Sequence, residues 1–160
     1  MTWITNATTR EGILALLPRQ QALFNKLYAS LWQLPHLPGS VLELCRLRIA
    51  QMHQSATEWQ RQECAIADDQ RQQLSQWHCS ESFSDAERAC LDITEVYVMD
   101  PQAITDEQAA AVKRHFGDAG LVALVEALGL FYGLTRLGIL WGLAPQQGPE
   151  TAQAQGRKPV

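Results

Sequence analysis

Apolar residues recur every three to four positions along almost the whole chain, and alternating runs rich in β-branched residues are missing. That period belongs to amphipathic helices and leaves nothing from which to build a sheet, so the sequence predicts an all-α fold. A first helix is expected over about 19–32, with Leu23, Leu27 and Leu31 as its face; Pro35 and Pro38 end it, because proline disfavours helical geometry in the residue before it. A second spans about 40–53. Its stripe of Leu42, Cys45, Ile49 and Met52 is widened by Val41, Leu44 and Leu47, and that breadth predicts deep burial. A third helix is expected to start at Ser55 and reach about Asp68, with a short polar helix over about 70–77 behind it.

Further on, Ser84 and Glu87 fit a capping box, in which a hydroxyl accepts from a backbone N–H while the acid reaches back to the cap. The helix they open, about 85–98, carries Ala86, Cys90, Ile93 and Tyr97 on one side and stops at Pro101. Thr105 and Gln108 repeat the box and open a helix to about His115; Gly117 makes the break, and Asp118 caps a last helix over about 119–143. Leu121, Leu124, Val125, Leu128, Phe131, Leu134 and Leu137 make this last helix apolar over much of its circumference, which suits a core element, an oligomer seam or both. The count is about six or seven helices. They form one domain over 1–144, followed by a flexible tail over 145–160 of Gln, Gly, Pro and Ala with almost nothing to bury.

Composition narrows the function classes. The net charge is −4 and no basic run exceeds Arg46-Leu47-Arg48, so no nucleic-acid partner is expected. The longest apolar run, from Gly120 to Leu134, is interrupted by Glu126 and followed by Arg136, short of the roughly 20 clean residues of a membrane span. The N-terminus lacks the basic start and apolar stretch of a signal peptide, and a cytoplasmic location is expected. Cys45, Cys64, Cys79 and Cys90 are scattered without a CxxC, which argues against a metal site or a paired redox centre and for buried, reduced thiols; no cofactor is expected.

The stretch from Glu43 through Arg46, Arg48 and Gln51 to Met52, followed by Ser55, Glu58 and Gln62, resembles the signature helix pair of the carboxymuconolactone decarboxylase family, in its alkylhydroperoxidase (AhpD)-like branch. The likeness extends through Phe83–Ala89, the helix start at Ile104–Glu107, the turn at His115–Leu121 and Leu134–Leu137, so that it spans about 20–143. In that branch an Asn-Gly turn leads into Cys-x-x-Cys, with a histidine four residues beyond the pair and a relay glutamate twelve residues before it. One thiolate attacks the peroxide, its partner resolves the sulfenic acid, and Glu and His move protons. On this resemblance Glu43 matches the relay glutamate, and His53 and Gln54 stand at the Asn-Gly turn. Ser55 and Glu58 replace the two cysteines, and Gln62 replaces the histidine. The family also implies an AhpD-like helical fold assembled as a homo-oligomer, a trimer or hexamer.

A serine cannot cycle through sulfenic acid, so the thiol mechanism is expected to be lost. What remains is a candidate polar site of Glu43, His53, Ser55, Glu58 and Gln62. Ser55, Glu58 and Gln62 share one face if their helix continues, with Glu43 and His53 approaching from the preceding helix. A structural reading stands beside it. Ser55 and Glu58 also fit a capping box, Glu43 can pair along its helix with Arg46 or Arg48, and His53 at a helix end is favoured as an imidazolium. The function expected first is a small-molecule-binding or accessory protein without thiol peroxidase activity. Two alternatives are a cysteine-independent acid–base enzyme of decarboxylase or lactone type using Glu43, Glu58 and His53, and residual peroxiredoxin-like antioxidant activity of a single cysteine.

Overall fold

A computed structural model of the chain describes residues 6–145. The tail expected at 145–160 lies, but for its first residue, outside the described residues. Among those described there are helices and turns and no strand: α1 (Arg10–Leu14), α2 (Pro18–Leu31), α3 (Gly39–Met52), α4 (Ala56–Gln60), α5 (Asp68–Gln73), α6 (Asp85–Met99) and α7 (Asp106–Leu140), with 3₁₀ turns at Leu74–Gln76 and Pro101–Ala103.

The fold is built around α3, which packs against α4, α6 and α7. The breadth of its apolar stripe has a simple cause: α3 lies between two cores. Leu42, Cys45 and Ile49 join Ile93, Leu124, Leu128 and Phe131 on one side. On the other, Leu44 and Leu47 join Leu74, Trp77, Phe83 and Leu91. A third side carries Glu43 and Arg46, buried like the rest.

Both capping boxes form. The Ser84 hydroxyl accepts from Glu87 N at 3.3 Å while Ser84 N donates back to Glu87 at 2.8 Å; Thr105 and Gln108 do the same at 3.3 and 3.0 Å. The break expected at Gly117 is present: α7 consists of two helical stretches joined across a kink, where the glycine takes the non-helical φ +67° and ψ −175°, a region open to residues without Cβ. Asp118 does not serve as a cap; its carboxylate pairs with Lys113 at 2.6 Å. By length and composition alone α7 could cross a membrane. Here its Val112, Ala123, Leu124, Ala127, Leu128, Phe131 and Leu134 form part of the core, and Val125 and Leu137 are left exposed.

Three further expectations need correction. Periodicity missed α1, a five-residue helix capped by the Thr9 hydroxyl accepting from Gly12 N at 3.1 Å. The face of α2 is rotated from the one read in the sequence. Phe24, Tyr28, Leu31 and Trp32 turn inward, whereas Leu23 and Leu27 are exposed, because the Tyr28 and Trp32 rings pack edge-on and tilted against Phe131.

The third correction bears on the site. The helix that starts after Ser55 ends at Gln60, far short of Asp68, and Arg61 is extended with φ −67° and ψ 146°. A helix end frees its last carbonyls, and here arginines take them. Arg46 Nη1 donates to Glu58 O and Nη2 to Arg61 O, both at 2.7 Å, and Arg71 donates to Trp59 O.

Candidate functional site

The side chains that the sequence singled out separate into three environments. Glu43 and Glu58 meet at Arg46, which reaches from α3 toward the end of α4. Its guanidinium grips Glu43 with two parallel bonds, Nε to Oε2 at 2.9 Å and Nη2 to Oε1 at 2.7 Å. The Glu58 carboxylate lies 3.5 Å from Arg46 Nη1. Burial is nearly complete, with Glu43 0%, Arg46 1% and Glu58 3% exposed, so this is not the solvated i,i+3 pair a helix surface would carry. Arg48, the other candidate partner of Glu43, pairs instead with Glu95 on α6 at 2.6 Å.

The Arg46 guanidinium makes four hydrogen bonds, two to Glu43 and two to the carbonyls that end α4. Burial, the largest single effect, lowers its pKa, but the hydrogen bond and charge of Glu43, with Tyr28 and Glu58, together raise it above the ordinary value and keep it protonated. Glu43 also accepts from the backbone N–H of Glu63 at 3.3 Å. Glu43 is therefore fixed by an arginine and a loop amide.

Ser55 is a cap. Its hydroxyl accepts from Glu58 N at 3.4 Å, but the Glu58 side chain does not reach back, so only half of the expected box forms. That carboxylate turns inward, to Arg46 and to Arg10 Nη1 at 3.5 Å. Gln62 lies beyond the end of α4 and is exposed, and the shared helix face expected for Ser55, Glu58 and Gln62 does not extend to it.

His53 follows α3 as its C-cap residue and packs edge-on against Tyr132 with ring centroids 5.2 Å apart. Burial first, and the Arg136 guanidinium second, hold its pKa below the ordinary value, so the neutral ring is favoured rather than the imidazolium expected from the helix dipole. Its Nε2 is buried without a hydrogen-bond partner among the described residues. No hydrogen bond, ion pair or ring contact among the described residues joins it to Glu43 or Glu58. Between α3 and α4, Gln54 takes φ +54° in the left-handed region, at the position where the resemblance places a glycine.

Sequence reasoning missed the rest of the polar cluster. Arg10, only 5% exposed, lies 3.5 Å from Glu58, 3.7 Å from Glu11 and 3.8 Å from Glu63, with its guanidinium carbon 5.3 Å from the centre of the Tyr28 ring. Arg61 bridges Glu11 and Glu63, each at 3.1 Å, and Tyr28 donates to Glu63 at 3.2 Å. One signal was available: Arg46 stands in the middle of an apolar stripe, and an arginine there requires buried acceptors. Nothing local announces Arg10 or Glu63, which come from a short helix and a loop.

The four cysteines are free. Cys45 and Cys90 are buried in the larger core, where desolvation pushes the Cys45 thiol up to about 12 and raises Cys90 as well. Cys64 is half-buried and Cys79 exposed. Among the described residues no group of three or more His, Cys, Asp and Glu side chains is placed to hold a metal ion.

The all-helical architecture is an AhpD-like helical fold, as its likeness to a solved structure shows. A crystal structure of a protein of unknown function from Agrobacterium tumefaciens, provisionally assigned as the antioxidant defence protein AhpD, is similar to it with a TM-score of 0.69. The likeness covers 92% of this chain and 100% of that one at 20% sequence identity, which establishes the architecture. No family model and no curated protein matches the sequence.

Proposed function

We propose that this chain uses the AhpD-like frame without its thiol peroxidase chemistry, as a small-molecule-binding or accessory protein. The observation that carries the reading is the state of Glu43. A relay glutamate must exchange protons with a neighbouring thiol or imidazole, and this one is gripped at 2.9 and 2.7 Å by Arg46, with a serine cap where the first cysteine of the resemblance would stand. The core thiols Cys45 and Cys90 lack the electropositive, accessible surroundings that make a thiolate nucleophilic, since burial raises both. The acid–base alternative needs a histidine next to Glu43 or Glu58, and His53 is engaged by Tyr132.

Thiol peroxidases pass through a sulfenic acid, so dimedone trapping under peroxide followed by peptide mass spectrometry tests the reading. Label is expected, if at all, on the exposed Cys79, slowly and at most once per chain. Rapid labelling of Cys45, Cys64 or Cys90 in the folded protein contradicts it.

A further inference from the structure

At five residues α1 is too short to persist as a helix on its own, so it is held by what it touches. Those attachments are few. Neither core includes a residue of α1, and Ile13 is its one buried apolar side chain. Arg10, its one buried charge, lies 3.5 Å from Glu58 and 3.8 Å from Glu63, with its guanidinium carbon 5.3 Å from the centre of the Tyr28 ring. The fit is looser than that of Arg46: Arg10 Nη1 makes no hydrogen bond among the described residues, where the Arg46 guanidinium makes four. Two surface ties remain, Arg61 to Glu11 and Gln21 Nε2 donating to Glu11 O, each at 3.1 Å. An exposed ion pair of this kind contributes little. A segment with so little buried apolar contact opens by itself, at a free energy below that of global unfolding.

What such opening uncovers follows from the two oxygens of Glu58. Oε2 faces Arg46 of α3 and Oε1 faces Arg10 of α1, both at 3.5 Å. Withdrawal of α1 frees Oε1 of a carboxylate that is only 3% exposed in the closed chain. Glu43 does not follow, because both of its oxygens accept from Arg46.

The same movement opens a cavity. Arg10, Glu11 and Leu14 line a space of about 450 Å³ together with Phe24, Tyr28 and Trp32 of α2. The volume that Arg10 vacates borders both the Tyr28 ring and Glu58, so the aromatic cavity and the freed carboxylate oxygen become continuous.

We infer that α1 is a strap, one that opens independently of the two cores and thereby gates access from the aromatic cavity to Glu58. The inference goes beyond the small-molecule reading, since the strap opens whether or not the cavity is filled.

Two measurements on the full chain test it. Native-state thiol labelling follows Ile13→Cys in a chain whose Cys64 and Cys79 are serine, with the buried Cys45 and Cys90 as the gauge of global unfolding. Relative to its rate in denaturant, the introduced thiol is expected to react at least about a hundredfold faster than Cys45. Carbodiimide footprinting with peptide mass spectrometry then compares Glu58 with Glu43 in the wild type and in Ile13→Ala, which takes away the apolar anchor. That variant is expected to raise Glu58 modification about tenfold or more and to leave Glu43 protected. Equal relative rates for the introduced thiol and Cys45 would show that α1 opens only with the whole fold, and would overturn the strap. So would Glu58 modification that Ile13→Ala leaves unchanged, or that rises in step with Glu43.

Discussion

Replacing Arg46 by methionine withdraws one guanidinium from between two buried carboxylates and takes the donors from two backbone carbonyls. The four hydrogen bonds lost are 2.7 to 2.9 Å long, and the groups left behind, Glu43 and Glu58, are 0% and 3% exposed, so water cannot replace the arginine without opening the fold. Removing one partner of a buried ion pair costs about 3–5 kcal/mol. For a domain of this size each kcal/mol is worth roughly 2–4 °C, so the melting temperature should fall by about 6–20 °C. Urea and thermal unfolding followed by circular dichroism at 222 nm measure it. A second variant isolates the cause. Glu43→Leu combined with Arg46→Met removes the pair together and should recover about 1–3 kcal/mol of the loss, because an apolar pair of similar volume replaces an unbalanced charge. A single-variant cost below about 1 kcal/mol, the range of an exposed pair, refutes the buried-clamp reasoning, as does a double variant no more stable than the single.

Four further outcomes follow from the same geometry. Gln54→Gly should stabilise the protein by about 0.5–1 kcal/mol, since the native φ of +54° strains a side-chain-bearing residue; a loss in urea unfolding would show that the Gln54 side chain matters more than its backbone. Gly117→Ala should cost about 1–3 kcal/mol in the same assay, because φ +67° with ψ −175° is nearly closed to residues with a Cβ. His53 has a folded pKa below its unfolded value near 6.5. The unfolded chain therefore binds the extra proton first as pH falls, and the His53 contribution, present above pH 6.5, is lost below it; His53→Gln should flatten that part of the stability profile, and an unchanged slope would count against the assignment. An aromatic disulfide reagent at pH 8 should modify Cys79 promptly and leave Cys45 and Cys90 untouched until denaturant is added; prompt modification of the core pair would contradict their burial.

What the sequence revealed and what it hid divide along physical lines. Local signals were reliable: Ser84 with Glu87 and Thr105 with Gln108 opened α6 and α7 as their spacing predicts, and Gly117 marked the kink. The breadth of the α3 stripe foretold its central place. The end of α4 was hidden because it is set by tertiary contacts, the arginines at positions 46 and 71 reaching the carbonyls of Glu58, Trp59 and Arg61. The inward turn of α2 was hidden for a related reason. Leucine spacing favoured one face, and ring packing of Tyr28 and Trp32 on Phe131 chose another. Of the candidate site, Glu43 and Glu58 are brought to one arginine, Ser55 caps α4, and His53 and Gln62 lie apart from them. Arg10 reaches Glu58 and Glu63, and Arg61 reaches Glu11, across some fifty positions of the chain, and helical periodicity carries no information about such meetings.

Steady-state peroxide consumption with a dithiol reductant, wild type against a variant in which Cys45, Cys64, Cys79 and Cys90 are all alanine, tests the central claim most directly. The buried thiols and the clamped Glu43 predict no catalytic turnover in either protein, only slow stoichiometric oxidation of the wild type at its exposed thiol. Multiple turnovers in the wild type that vanish in the cysteine-free variant would contradict the account.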